Sequence, residues 1–202
     1  MSGKKRVLVT GFEPFGQSKL NPSQKLVEAL KSEDLPGVEL SALVLPVEFD
    51  RASEILLKKI AQISPDFVIS FGQAEGRSAI TPEKIAVNLD HARIADNSGD
   101  QRQDSVIDEL GNDGYFSTLP VNQIVEAIKS VGVESELSLS AGTFVCNHIF
   151  YELQKELSNS PIKSGFIHIP LVPEQSAEFP GAPTMEINLI IRGAKAAILS
   201  IL

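Results

Sequence analysis

Short β-branched runs alternating with amphipathic helical stretches predict an α/β fold, with helices layered on a mixed, mostly parallel sheet in a three-layer α/β/α arrangement. Two further observations support this. Several strand candidates are continuous apolar runs that stop at a glycine, consistent with buried strands. The 202 residues also contain no repeat of the 20–50-residue kind, no Pro- or Ser-rich linker and no low-complexity block, so residues 1–202 are expected to form one domain.

The elements follow in chain order. Val7-Leu8-Val9-Thr10 reads as a strand ending at Gly11. Asn21-Pro22-Ser23 opens a helix with Leu26, Val27 and Leu30 on one face, Asn21 as N-cap and Pro22 where a missing N–H costs nothing. Leu40 to Leu45 is the next strand, and Asp50 to Gln62 a helix with apolar and charged faces. Asp66 to Phe71 is a third strand ended by Gly72, and Ile85 to Leu89 a fourth. Ala92 to Asp113 is polar and aperiodic, a long surface excursion with room for a short hairpin. Val121 to Val131 is helical, Leu137-Ser138-Leu139 a short strand, Cys146 to Leu157 helical, and Gly165 to Ile169 a strand closed by Pro170. Thr184 to Leu202 is a final amphipathic helix.

Composition bounds the function. Lys and Arg number 18 against 26 Asp and Glu, a formal net charge of −8, so a nucleic-acid partner needing a basic face is not expected. Cys146 is the sole cysteine, which excludes an internal disulfide and a thiolate-rich metal cage. With three histidines it lacks zinc-like spacing, and neither metal nor cofactor is expected. The apolar run after the basic start is too short for a signal-peptide core, and no stretch nears the ~18 residues of a membrane span. Together with the free thiol this favours a reducing cytoplasm and no membrane partner.

Three segments carry unusual chemistry. Gly11 to Ser18 leaves a strand with glycine spacing like that of a phosphate loop, but Gln17 stands where lysine is needed and Pro14 removes a backbone N–H. It reads instead as a strand-exit turn, with Phe12 and Phe15 either packed in the core or lining an apolar ligand pocket. The second segment holds Cys146 in the first turn of a helix, where unpaired N–H groups and the helix dipole favour thiolate; a buried, inert cysteine is the alternative. His148, two positions on, projects elsewhere and is a poor base for it. The third places His168 near a strand end, where α/β sheets commonly build active sites, although a hydrogen-bonded core histidine would look the same. A thiol nucleophile needs a base, and the base an orienting acceptor. Glu83, Asp90, Asp96 and Glu174 are candidates for that acceptor, and spacing does not choose among them.

Six ordered blocks are nevertheless familiar. They are Val9 to Gly16 with Asn21-Pro22-Ser23, Phe71 to Ala74 with Gly76-Arg77, Thr81 to Asn88, Ala92-Arg93-Ile94 with Asp96-Asn97, Ala141 to Asn147, and His168-Ile169-Pro170 with Pro173-Glu174-Gln175. On these the chain resembles the pyrrolidone carboxyl peptidases, or pyroglutamyl peptidases I, across nearly its whole length. The resemblance implies a cysteine peptidase that removes one N-terminal pyroglutamyl residue from peptides through a thioester. Cys146 would be its nucleophile, His168 its base and Glu83 the group orienting His168. It further implies Phe12 and Phe15 as walls around the lactam ring, Gln73, Phe144 and Val145 as substrate contacts, and Arg93 as a support of the catalytic region. A homo-oligomer such as a tetramer is the assembly it suggests. The chain departs from the family pattern at Lys84 (commonly arginine), Glu75 (commonly glycine), His91 (usually acidic or amide) and Phe144 (frequently tyrosine), and none of these removes a triad member. Two rivals fit less well. A non-catalytic lactam-binding module gains nothing from Glu83, Cys146 and His168 together, and a nucleoside hydrolase or phosphorylase would want phosphate- or ribose-binding groups.

Overall fold

The computed structural model describes residues 3–202. Side chains alternate across a β-strand, and this alternation divides the core in two. In β1 (Lys5–Phe12), Val7 and Val9 join one apolar cluster while Leu8 and Phe12 join the other. In β3 (Phe67–Gln73) and β7 (Lys163–Ile169), Ile69, Phe71, Ile167 and Ile169 take the first side, and Val68 and Phe166 the second. The first cluster is closed by α1 (Pro22–Leu30), α3 (Val121–Ser130) and α5 (Ile187–Ser200). The second is closed by α2 (Phe49–Ile63) and α4 (Val145–Glu156). With β2 (Val38–Leu45) and β4 (Thr81–Pro82), the sheet runs β2-β1-β3-β7-β4. Every pairing in it is parallel except β4 with β7. This is the expected three-layer α/β/α fold on a mostly parallel mixed sheet.

Helix α1 starts as its sequence predicts, with Asn21 extended and its side chain accepting the Ser23 N–H. Gly11, however, does not end β1, which continues to Phe12. A Cβ on Gly11 would lie 2.3 Å from the Ser23 carbonyl oxygen, so the glycine lets the start of α1 touch the strand. There Phe12 N–H donates to Ser23 Oγ at 2.9 Å. Likewise β3 runs through Gly72 to Gln73.

Other expectations change. The strand expected over Ile85 to Leu89 is β5 (Ile85–Val87), which leaves the main sheet to pair with β6 (Gly114–Phe116). Leu137 to Leu139 forms no strand; Ser135 and Ser138 make single bridges to Ile80 and Glu83, and Leu139 is exposed. The last helix begins at Ile187 rather than Thr184, because Thr184 and Met185 are drawn into pairing with Leu171. The excursion over residues 92–113 carries no helix or strand but is bonded in place. Asp96 accepts from the backbone N–H of Phe49, Ser98 and Asp100, and Arg102 pairs with Asp50, Asp90 and Asp100. Among the described residues no helix is long and apolar enough to cross a membrane.

Candidate active site

Strands β3 and β7 are parallel neighbours, with Gly72 opposite His168. Because Phe166 points to the α2/α4 layer, the two-residue period sends His168 the same way, and its ring lies 4.9 Å from that of Phe166. Helix α4 begins on this side. A Cβ on Gly72 would lie 2.9 Å from Cys146 Sγ, so the thiol rests on bare strand backbone beside the histidine strand. Residues far apart in sequence thus meet at the ends of two adjacent strands and the start of one helix.

Of the four carboxylates that spacing left open, Glu83 alone touches this ring. His168 Nδ1 is 2.7 Å from Glu83 Oε1, and both side chains are buried. The other three are engaged elsewhere. Asp90 pairs with Arg102 and with His148 Nδ1 at 2.8 Å, Asp96 accepts at the start of α2, and Glu174 pairs with Lys25. His148 accordingly faces away from Cys146, set against Asp90 and edge-on to Phe49.

Sequence reasoning gave Arg77 no role, yet it completes this cluster. Its Nη1 reaches Glu83 Oε1 at 2.7 Å and also Thr81 Oγ1, and Nη2 donates to the Ser140 carbonyl at 2.9 Å. No spacing rule links Arg77 to Glu83; membership of the Gly76-Arg77 block was the one available signal. A guanidinium can only donate, and a carboxylate oxygen that serves it can only accept from the ring as well. His168 therefore carries its proton on Nδ1 and leaves Nε2 as the acceptor. Glu83 Oε2 is buried with no hydrogen-bond partner among the described residues.

The thiol departs from expectation. Burial, with the Glu83 carboxylate adding to it, pushes the Cys146 thiol up to about 12, and Arg77 opposes this only in part. Burial also pulls His168 below its ordinary 6.5, against the pull of Glu83. Burial thus opposes the helix-start effect and favours the uncharged form of both groups. Phe144 precedes α4 in an extended conformation with no side-chain cap, so the first N–H groups of the helix lack an intrahelical acceptor beside the sulfur.

A cavity of about 870 Å³ opens here. Phe12, Phe15, Gln73, Arg93, Phe144 and Val145 all line it together with Cys146 and His168, whereas Glu83 stands behind the histidine. Phe15 and Phe144 form a tilted pair at 6.0 Å, braced by the edge of Phe49 at 5.5 Å from Phe144. Phe12 is almost wholly buried against Phe166, so it contributes only a margin to the wall. Arg93 is exposed at the rim. Among the described residues no group of three or more His, Cys, Asp or Glu is arranged to hold a metal ion.

Comparison with known proteins agrees on one family. A family model described as pyroglutamyl peptidase matches residues 5–202. The pyrrolidone-carboxylate peptidase of Vibrio vulnificus is 46% identical over 198 residues, covering 98% of this chain and 93% of the relative. That of Bacillus cereus is 41% identical over 196 residues, covering 96% and 91%. The crystal structure of pyroglutamyl peptidase I from Bacillus amyloliquefaciens superposes with a TM-score of 0.95 at 40% identity, covering 98% of this chain and 95% of that one. Pyrrolidone carboxyl peptidase from Thermococcus litoralis gives 0.92 at 34% identity, covering 98% and 93%. With sequence, fold and nearly full-length coverage in agreement, the chain belongs to the pyroglutamyl peptidase family.

Proposed function

We propose that this protein hydrolyses the bond after an N-terminal pyroglutamyl residue, with Cys146 as nucleophile, His168 as base and then acid, and Glu83 as the group orienting His168. The observation that carries this is the 2.7 Å bond from His168 Nδ1 to Glu83 on a histidine sharing its cavity with the thiol. As Sγ attacks the pyroglutamyl carbonyl carbon, its proton passes to His168 Nε2. The carbon–nitrogen bond then breaks, the amine leaves with that proton, and a thioester remains. Water attacks the thioester next, giving a proton to Nε2. The carbon–sulfur bond breaks, the thiolate recovers its proton from Nε2, and pyroglutamate departs. Uncapped N–H groups at the start of α4 are the donors suited to the oxyanion.

Selectivity follows from the lining. A pyroglutamyl ring has apolar faces, one lactam N–H and one lactam carbonyl, and no ammonium. Phe15 and Phe144, with the margin of Phe12, suit the faces, and Gln73 is a polar partner within the same wall. A free N-terminal glutamate would have to desolvate an ammonium against the aromatic wall of Phe15 and Phe144. The cavity exceeds a five-membered ring several-fold in size, and the remainder suits the peptide beyond it. Peptides with N-terminal pyroglutamate are thus the proposed substrates. A single domain, a cytoplasmic location, in keeping with one unpaired thiol, and a homo-oligomer such as a tetramer complete the proposal.

The test is turnover of a pyroglutamyl anilide. Cys146→Ala and His168→Ala are expected to fold with native circular dichroism and to lose release of the anilide. Glu83→Gln should lose less, since its amide oxygen can still accept from Nδ1. Retained turnover by purified Cys146→Ala would refute the nucleophile assignment.

A further inference from the structure

The orientation of the Gln73 amide can be deduced from a chain of obligate donors and acceptors. After β7 the backbone passes through Leu171 and Val172 into a short 3-10 turn, Pro173–Gln175, which buries the Gln175 side chain at 1% exposure. The backbone N–H of Val172 points at that side chain at 3.1 Å. A backbone N–H can only donate, so the Gln175 atom facing it is Oε1, and the other end of the amide is the NH₂ group. That NH₂ lies 2.9 Å from the Gln73 amide and 3.5 Å from Ser18 Oγ. Gln73 must therefore turn its own oxygen toward Gln175. What remains of Gln73 is Nε2, a pure donor, which makes no hydrogen bond to other described residues and belongs to a side chain lining the cavity with Cys146.

We propose that Gln175 is a specificity-determining positioning residue: it holds the Gln73 amide so that Nε2 donates into the cavity, to the lactam carbonyl of the pyroglutamyl ring. This rests on the peptidase function proposed above and assigns how its substrate is told apart. A prolyl ring has the same size but no lactam carbonyl, and would leave this donor facing carbon. If Gln73 were free to turn, its oxygen would face the lactam carbonyl oxygen for part of the time. Gln175, which does not line the cavity, removes that alternative through its bond to Val172 N–H.

The test reverses the chain. Glu at position 175 still accepts from Val172 N–H but presents a second oxygen to Gln73, which favours a flip of the Gln73 amide. For Gln175→Glu, KM for a pyroglutamyl anilide should rise about 10–100-fold, the cost of one mispaired buried polar contact, with kcat changed only a few-fold. Alkylation of Cys146 by iodoacetamide should keep its rate, since the thiol is untouched. In a Gln73→Ala background, adding Gln175→Glu should cause no further loss, because the effect travels through Gln73. Where Gln175→Glu unfolds, Gln175→Met keeps the side-chain length, removes both bonds and should raise KM about 3–10-fold. An unchanged KM in a folded variant overturns the proposal, as does an undiminished loss in the Gln73→Ala background. Calorimetric binding of free pyroglutamate separates the two levels of inference. If the wild-type chain neither binds pyroglutamate nor turns over the anilide, both fall; if wild type is active and Gln175→Glu matches it, only the present one does.

Discussion

The placement of two protons decides how this site works at the scale of single residues. Burial and the Glu83 carboxylate favour the protonated Cys146 thiol, while burial and the Arg77 charge favour the neutral His168 ring over its imidazolium. The imidazole is therefore a free base across the neutral range, and activity should fall only as pH drops through a His168 value that lies below 6.5. Arg77 contributes to that lowering by its positive charge. In Arg77→Ala the acid limb of kcat/KM should move to higher pH, because the imidazolium no longer meets that repulsion. The rate on the plateau should drop about 10-fold or more, since Glu83 loses a charged hydrogen-bond donor. A limb that stays in place or moves to lower pH would show that Arg77 has no electrostatic part. Cys146 and His168 drew notice in the sequence because their residue types are rare and reactive. Arg77 and Gln175 have no signal beyond their places in the Gly76-Arg77 and Pro173-Glu174-Gln175 blocks, since each acts through side-chain contacts that no spacing encodes.

Elements show the same division. Helices α1, α3 and α4 and strands β1 and β7 lie within a few residues of their expected bounds, because apolar periodicity and the Asn21-Pro22 start are local signals. Strand β4 was invisible. Two residues, one of them Pro82, carry no period, and the strand exists only because the edge of β7 is there to pair with. The same distance dependence made Gly72 look like a terminus, when it is the floor on which the thiol sits. Gly72→Ala would place a methyl 2.9 Å from Cys146 Sγ and 2.8 Å from the Phe166 ring. Overpacking of this kind should cost about 1–3 kcal/mol of stability. The displaced sulfur should lower kcat about 100-fold, a larger effect than the fold itself suffers. Wild-type turnover in a folded Gly72→Ala protein would contradict this floor.

Over the whole molecule, the aperiodic stretch across residues 92–113 shows what composition could not foresee: polar side chains can order a loop as firmly as a core can. Arg102 lies over the Phe49 ring at 4.5 Å and bonds Asp50 on α2, Asp90 beside His148 of α4, and Asp100 in its own loop. The excursion is thereby pinned to both helices of the second layer. Arg102→Ala leaves Asp90, wholly buried, with the His148 ring as its one remaining side-chain partner among the described residues. Since Arg102 is 22% exposed, the loss should be about 2 kcal/mol, less than for a fully enclosed pair. For a chain of this length that lowers Tm by roughly 4–8 °C. Limited proteolysis should then cut within residues 92–113 first; an unchanged Tm and cleavage pattern would mean that other bonds suffice to hold the loop.

The order of the sheet has a bearing on biosynthesis. Strands β3 and β4 leave the ribosome a few residues apart, yet they end up separated by β7, which is made some 80 residues later. Until β7 is made, β3 lacks its partner on that edge and β4 has no strand of the sheet to pair with, and an unpaired strand edge is a template for association with other chains. The last strand to enter is also the one that brings His168. Of the groups facing the cavity, Phe12, Phe15, Phe144 and Cys146 are thus made before His168, so the proposed base is among the last to reach the site.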